Sequence, residues 1–349
     1  MDFLFSNYPP LRTTYPSFSD TFYDLLPSTE KLDIAVGYIT SDSLIELQKA
    51  VELNHVGQLN LIIGMHYFDR FTRVEYQTAS TLNEFLLDNH LGEVRLVTAF
   101  RFHGKLYSFQ AHNNAIAGIV GSNNLSSIVG RSGVYEGSVL FRDSATLATM
   151  NSFIQDLSTR ASSNIRDIAI DSFNDNNPLL EGQDFVERAS TEETLRCLSA
   201  RTDLTFHIPI KDEEKSNLNA FFGKGRENKR TGVVKPRHWY ESEIIVSKRI
   251  TSLQGYPQAL TDSASFHVIT DDGWKFQCKV SGDYSKNFRS EGDLRILGKW
   301  LKGRLENAGC LAVGEPVTQE VLRKYGRDSF SLTKTTIPNL WYLDFGGNS

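Results

Sequence analysis

Residues 102–136 read FHGKLYSFQAHNNAIAGIVGSNNLSSIVGRSGVYE. The stretch opens on His103-Gly104-Lys105, an H-x-K triplet. On a strand, positions i and i+2 face the same side, so imidazole and ammonium would project together. The apolar run Ala115–Val120 then ends in Gly121-Ser122-Asn123-Asn124-Leu125-Ser126. That turn brings a hydroxyl and amides to the end of a neighbouring strand. A nucleophile or base, a fixed cation and neutral donors are the groups that can surround a phosphate. Alone, H-x-K arises by chance in many proteins and G-S-N-N is usually a turn. In this order, on two adjacent strand-like runs, they point to a catalytic site.

The pair resembles the signature of the phospholipase D superfamily, H-x-K-x4-D followed by G-S-x-N. His103, Lys105, Gly121, Ser122 and Asn124 match it, while Gln110 stands where its aspartate falls. A carboxylate is still needed to orient the histidine and balance the lysine, and Glu136, on the next apolar run, is the nearest. This pattern resembles the restriction-endonuclease branch of the superfamily, the BfiI and NgoFVII-type enzymes. The resemblance implies an α/β N-terminal domain with a mixed sheet flanked by helices. It implies type II, sequence-specific cleavage of double-stranded DNA through a covalent phosphohistidine, with no metal and no cofactor. His103 would be nucleophile and acid, Lys105, Ser122 and Asn124 would stabilise phosphate charge, and Glu136 would orient His103. The superfamily uses two motif sets per site and this chain holds one, so a homodimer through the N-terminal domain is expected. A cognate DNA methyltransferase is the functional partner such an enzyme implies.

The chain has 349 residues, 40% hydrophobic and 23% charged, which suits two globular domains. No run of about 18 apolar residues occurs and the N-terminus lacks a basic leader pattern, so a bacterial cytoplasmic protein with no membrane partner is expected. Three widely spaced cysteines (Cys197, Cys278, Cys310) suggest buried thiols rather than a disulfide framework or zinc knuckle. The net charge of −5 conceals a division: residues 1–200 carry −10 and residues 201–349 carry +5. The basic half is the better candidate for a phosphate backbone.

Hydrophobic patterning divides the chain at the same place. Residues 1–173 alternate strand-like runs (Leu32–Ile39, Leu59–Met65, Val94–Phe100) with helical ones, as a sheet with crossovers requires. His103 would then lie at the close of a strand, where sites in such sheets sit. Residues 174–200 hold Pro178 and an acidic excess, and read as a linker whose charges could screen the catalytic face. Residues 201–349 show short β-type runs, the pattern of a mostly β pseudobarrel. One helix interrupts it, with Leu294, Leu297, Leu301 and Leu305 on one face and a basic face of Arg295, Lys299 and Lys302 expected in solvent.

Two basic stretches are candidates for contact with DNA. One holds Lys224, Arg226, Asn228, Lys229, Arg230, Lys235 and Arg237, followed by Trp239; the other holds Lys286, Asn287 and Arg289. Arg, Lys and Asn are the side chains that read guanine and adenine edges and hold phosphates. The order of elements resembles the plant B-three-type DNA-binding pseudobarrel. Two alternatives from other classes are a different phospholipase D-type phosphodiesterase and a metal-dependent nuclease. The latter would use Asp271-Asp272 with Gln277-Cys278-Lys279.

Overall fold

The computed structural model describes residues 1–54, 56–130, 134–174, 179–229, 232–260 and 264–347. The chain forms two compact units, Met1–Asn177 with Gly225–Pro236, and Pro178–Lys224 with Arg237–Ser349.

The strands of the first unit are β1 (Asp2–Phe5), β2 (Lys31–Val36), β3 (Gln58–Ile63), β4 (Gly92–Val97), β5 (Lys105–Ala111), β6 (Asn114–Gly121), β7 (Gly137–Phe141) and β8 (Ser162–Asn164). Its helices are α1 (Phe18–Leu25), α2 (Ser41–Leu53), α3 (His66–Asp69), α4 (Arg73–Asp88) and α5 (Ser144–Asp156). The sheet runs β1-β7-β6-β5-β2-β3-β4-β8. Strands β2, β3 and β4 are mutually parallel, because α2 and α4 carry the chain back between them. Each crossover is closed by apolar spacing: Leu44, Leu47, Ala50 and Val51 of α2 are buried, as are Ala79, Leu82 and Leu86 of α4. A capping box starts α4, with Thr72 N donating to Glu75 Oε2 at 2.9 Å and Glu75 N to Thr72 Oγ1 at 3.2 Å.

The antiparallel half of this sheet positions the site. Lys105 pairs with Val36, Leu106 with Val120, and Gly121 with Ser138. The end of β2, the start of β5, the end of β6 and the start of β7 therefore meet at one end of the sheet. His103 does not close a strand as expected. It lies just ahead of β5, because the preceding strand stops at Val97.

The second unit begins with β9 (Val186–Arg188), α6 (Thr191–Ser199) and β10 (Arg201–Pro209). The chain then enters a short hairpin, β11 (Arg226–Glu227) with β12 (Val234–Lys235), which belongs to the first unit. It continues through β13 (Ile244–Ile245), β14 (Ser265–Thr270), β15 (Trp274–Ser281), β16 (Asn287–Ser290), α8 (Arg295–Asn307), β17 (Ser329–Thr335) and β18 (Leu340–Asp344), with α7 (Lys248–Thr251) and α9 (Gln319–Tyr325) as short helices. The sheet order is β10-β17-β18-β14-β15-β16-β13, with β9 on β15. It is a curled, mostly β half-barrel, as the patterning led us to expect. On β15 the apolar members Trp274, Phe276, Cys278 and Val280 are all buried, and the residues between them are not.

Three expectations are corrected here. The supposed linker carries β9 and α6, and its acids are used within the unit: Glu193 caps α6 through Ser190 and pairs with Lys275 at 2.9 Å, and Glu187 pairs with the same lysine at 3.5 Å. The basic side of α8 is not solvated. Lys302 is 0% exposed, its ammonium donating to Trp239 O at 2.7 Å and lying 3.5 Å over the indole, while Arg295 pairs with Asp293 at 2.7 Å. Cys197 and Cys278 are buried, whereas Cys310 is partly exposed.

Candidate active site

The five residues singled out from sequence come to the same end of the first sheet. His103 is exposed and lies ahead of β5, whereas Lys105, the first residue of β5, is only 5% exposed. Lys105 Nζ donates to the carbonyl of His103 at 2.7 Å, which fixes the ammonium beneath the histidine backbone. Burial pushes the Lys105 pKa down, and the negative charge of Glu136 opposes that shift. Glu136 thus acts electrostatically on Lys105. Its backbone is held by the N-terminal segment, Glu136 N donating to Ser6 Oγ at 2.9 Å and Ser6 N to Glu136 O at 3.0 Å.

The G-S-N-N turn closes the other side. Ser122 N donates to Gly137 O at 3.0 Å, and Gly137 N donates to Ser122 Oγ at 3.0 Å, so the hydroxyl is aligned by the start of β7. Gly121 tolerates no side chain there: a Cβ would come within 2.2 Å of Ser138 Oγ. Asn123, the unassigned member of the turn, is buried. Its Nδ2 donates to Ser127 Oγ at 3.0 Å, Ser138 Oγ donates to its Oδ1 at 2.5 Å, and Tyr107 OH donates to its carbonyl at 2.8 Å. Asn124 is partly exposed and accepts from Tyr38 N through Oδ1 at 3.1 Å. A phosphate placed here would meet an imidazole, a desolvated ammonium and amide donors.

Residues that the motifs did not include complete the surroundings. Gly37 and Tyr38 follow β2, and a Cβ on Gly37 would lie 3.1 Å from His103 Cδ2. The Tyr38 ring meets the His103 ring edge to face, centroids 5.6 Å apart. Tyr38 OH donates to Asp69 Oδ2 at 2.6 Å, and Arg101 pairs with the other oxygen of Asp69. Asp69 raises the Tyr38 pKa through that bond. Buried His66 stacks on Phe71, and burial drives its pKa down to about 4. The only sequence signal for these residues was position: each follows a buried strand that ends at this end of the sheet.

The DNA-contact candidates divide between the two units. Lys224, Arg226, Asn228 and Lys229 are exposed, and Arg230 lies outside the described residues. Lys235 pairs with Asp20 at 2.6 Å and lies 4.9 Å over Tyr23, both in α1, so its charge is occupied inside the first unit. Arg237 donates to buried Glu241 at 2.5 Å. Trp239 is not a contact residue: it is 0% exposed and donates from Nε1 to Glu306 at 2.8 Å. Lys286 is exposed, and Asn287 and Arg289 sit partly exposed on β16 rather than in a loop, where Arg289 lies 3.9 Å from Glu243.

The metal-nuclease alternative does not assemble. Asp271 pairs with Arg304 at 2.5 Å, Asp272 accepts from Trp300 Nε1 at 2.9 Å, Gln277 bonds His267 at 3.0 Å and Lys279 pairs with Glu291 at 3.4 Å. Each of these side chains is engaged in a structural contact, Asp272 lying 3.9 Å from Arg304 as well.

The family description of the NgoFVII restriction endonuclease N-terminal PLD domain matches residues 17–169, and that of the NgoFVII C-terminal B3-like DNA-binding domain matches residues 197–336. The chain belongs to the NgoFVII restriction endonuclease family. As a member of that family it is a type II, site-specific nuclease with a DNA-binding domain, and its partner is DNA. Among the described residues no helix is long and apolar enough to cross a membrane. Solved structures similar to this NgoFVII-type chain include a phospholipase D family member, Nuc from Salmonella typhimurium (12% identity, TM-score 0.34, covering 46% of this chain and 96% of that one). NucT from Helicobacter pylori is 14% identical, with TM-score 0.32, covering 42% and 89%. The phosphatidylserine synthase of Haemophilus influenzae is 16% identical, with TM-score 0.36, covering 48% and 41%. No curated protein matches the chain.

Proposed function

We propose that this enzyme cleaves double-stranded DNA without a metal ion, through a phosphohistidine formed at a site that two copies build together. The observation that carries the reading is the state of His103. Its ring is exposed beside a desolvated lysine and an asparagine whose oxygen is already committed, and it takes part in no hydrogen bond among the described residues. An imidazole so placed is a nucleophile open to an incoming phosphate.

In this scheme a His103 nitrogen forms a bond to the scissile phosphorus as the bond to the 3′ oxygen breaks. The second copy's His103 gives its proton to that leaving oxygen. The same histidine then takes a proton from water, whose oxygen displaces the first His103 and frees the 5′ phosphate. Lys105 supplies the positive charge that a divalent metal supplies in other nucleases, and the Asn124 amide donates to the non-bridging oxygens, joined by the Ser122 hydroxyl once it turns from Gly137 O, to which it donates at 3.2 Å. Glu136 keeps Lys105 charged against its burial. One chain holds one set of these residues, and the scheme needs two histidines, one as nucleophile and one as acid–base, so the first units pair about a two-fold axis. The B3-like unit reads the sequence through Lys286, Asn287 and Arg289, with Lys224, Arg226, Asn228 and Lys229 as further contacts. A methyltransferase of the same specificity in the bacterial cytoplasm protects the host site.

Plasmid cleavage in excess EDTA tests the mechanism. Discrete fragments from wild type and none from His103→Ala are the expected result, with a base-stable, acid-labile phosphoenzyme, as a P–N bond requires, absent from the variant. Cleavage that needs added Mg²⁺ would overturn it.

A further inference from the structure

We infer that Tyr38 is the positioning residue of the active site, setting the direction of the His103 imidazole and the polarity of the Asn124 amide at once. The inference rests on the phosphohistidine reading, which makes both groups act on one phosphate.

Nothing in the motifs explains how His103 is aimed. Its ring has no hydrogen-bond partner among the described residues, and Glu136 acts on Lys105 instead. What touches the imidazole is the segment after β2: the backbone of Gly37, so close that a Cβ would stand 3.1 Å from Cδ2, and the ring of Tyr38. The two rings meet at 77° with centroids 5.6 Å apart, the edge-to-face arrangement aromatic rings prefer.

Tyr38 is itself held at both ends. Its hydroxyl donates to Asp69 Oδ2 at 2.6 Å, and Asp69 is anchored by Arg101, two residues before His103. Its backbone N–H donates to Asn124 Oδ1 at 3.1 Å. With Oδ1 taken, Asn124 has only its NH₂ left to offer, which is the polarity a phosphate oxygen needs. One residue therefore couples the nucleophile, the amide donor and an Asp–Arg brace. An imidazole free to turn would spend most of its time out of line with the phosphorus. Misplacement of about 1 Å costs a nucleophilic step about 100-fold.

The experiment is single-turnover cleavage of saturating cognate DNA in EDTA by Tyr38→Ala, Tyr38→Phe and Tyr38→Leu. DNA affinity, melting temperature and quenched phosphoenzyme are followed in parallel. Tyr38→Ala should slow phosphoenzyme formation about 10- to 100-fold, with DNA affinity within about twofold of wild type. Tyr38→Phe, which keeps the ring but drops the tether, should recover most of that loss. Tyr38→Leu keeps the bulk without an aromatic edge, should behave like Ala, and decides the question should Ala fail to fold. Wild-type rates in the Ala or Leu variant, or a loss that follows affinity or melting temperature, would overturn the role of Tyr38. Cutting by His103→Ala would instead overturn the underlying reading, so the two failures are distinguishable.

Discussion

Gln110 Nε2 donates to Asp33 Oδ2 at 2.6 Å across the β2–β5 pairing. The position that holds aspartate in the superfamily motif is here an amide, and the carboxylate stands on the neighbouring strand. Asp33 also accepts from Asn60 at 2.7 Å and pairs with Lys31 at 3.1 Å. Gln110 is five residues beyond Lys105 on one strand, about 17 Å away at ~3.4 Å per residue. It braces the far end of the sheet, away from the candidate site. Restoring the motif with Gln110→Asp should therefore harm the protein, by setting two carboxylates against each other and deleting a donor. We expect a loss of about 1–3 kcal/mol in urea unfolding, with the cleavage rate per folded molecule unchanged. A gain in rate would show that the aspartate has a catalytic part.

The balance between burial and Glu136 at Lys105 predicts a pH effect. Burial lowers the lysine pKa, so the ammonium loses its proton at a pH below the free lysine range, and cleavage should fall along that alkaline limb. Glu136 raises the pKa, so Glu136→Gln should move the limb to lower pH while the acid side of the profile stays in place. Single-turnover rates across the alkaline range provide the check. A limb that stays put, or moves upward, would mean that Glu136 does not act through Lys105.

His66 makes the first unit acid-sensitive. Its pKa falls from an ordinary 6.5 to about 4 because burial disfavours the charged ring. The unfolded chain therefore binds the extra proton between these values. The contribution to stability is complete above about pH 6.5 and is lost as pH falls towards 4. A shift of this size corresponds to roughly 3 kcal/mol. Urea unfolding at pH 7.5 and pH 4.5 should show that difference in wild type, and His66→Gln should shrink it. Equal pH dependence in both proteins would remove His66 as the cause.

Three candidates for DNA contact, one aromatic and two basic, should separate cleanly. Trp239→Ala removes a fully buried indole and its bond to Glu306, and should cost about 3–5 kcal/mol of stability. Lys286→Ala and Arg289→Ala should leave unfolding nearly unchanged. Each should instead weaken DNA binding and lower the slope of log affinity against log salt by about 1 if it meets a phosphate. Fluorescence anisotropy over a salt series distinguishes them. An unchanged slope and affinity in both variants would remove Lys286 and β16 from the DNA interface.

The residues of the candidate site were legible in the chain because local chemistry wrote them. H-x-K and G-S-x-N each lie within a few residues, and the apolar runs around them could only be buried strands. Strand antiparallelism then brings His103, Lys105, Ser122, Asn124 and Glu136 to one end of the sheet. What the chain alone does not carry is long-range partnership. Trp239 and Lys302 are 63 positions apart and each reads as a surface group until the carbonyl of one meets the ammonium of the other. Lys235 reads as a free cation until Asp20, 215 positions earlier, takes its charge. Tyr38, Asp69 and Arg101 carry no motif, because their association depends on three separate strand ends reaching the same place. Sequence determined which chemistry this protein holds. Tertiary structure decided which charges remain free to use it, since an ion pair or a buried hydrogen bond depends on distance in space and leaves no local pattern.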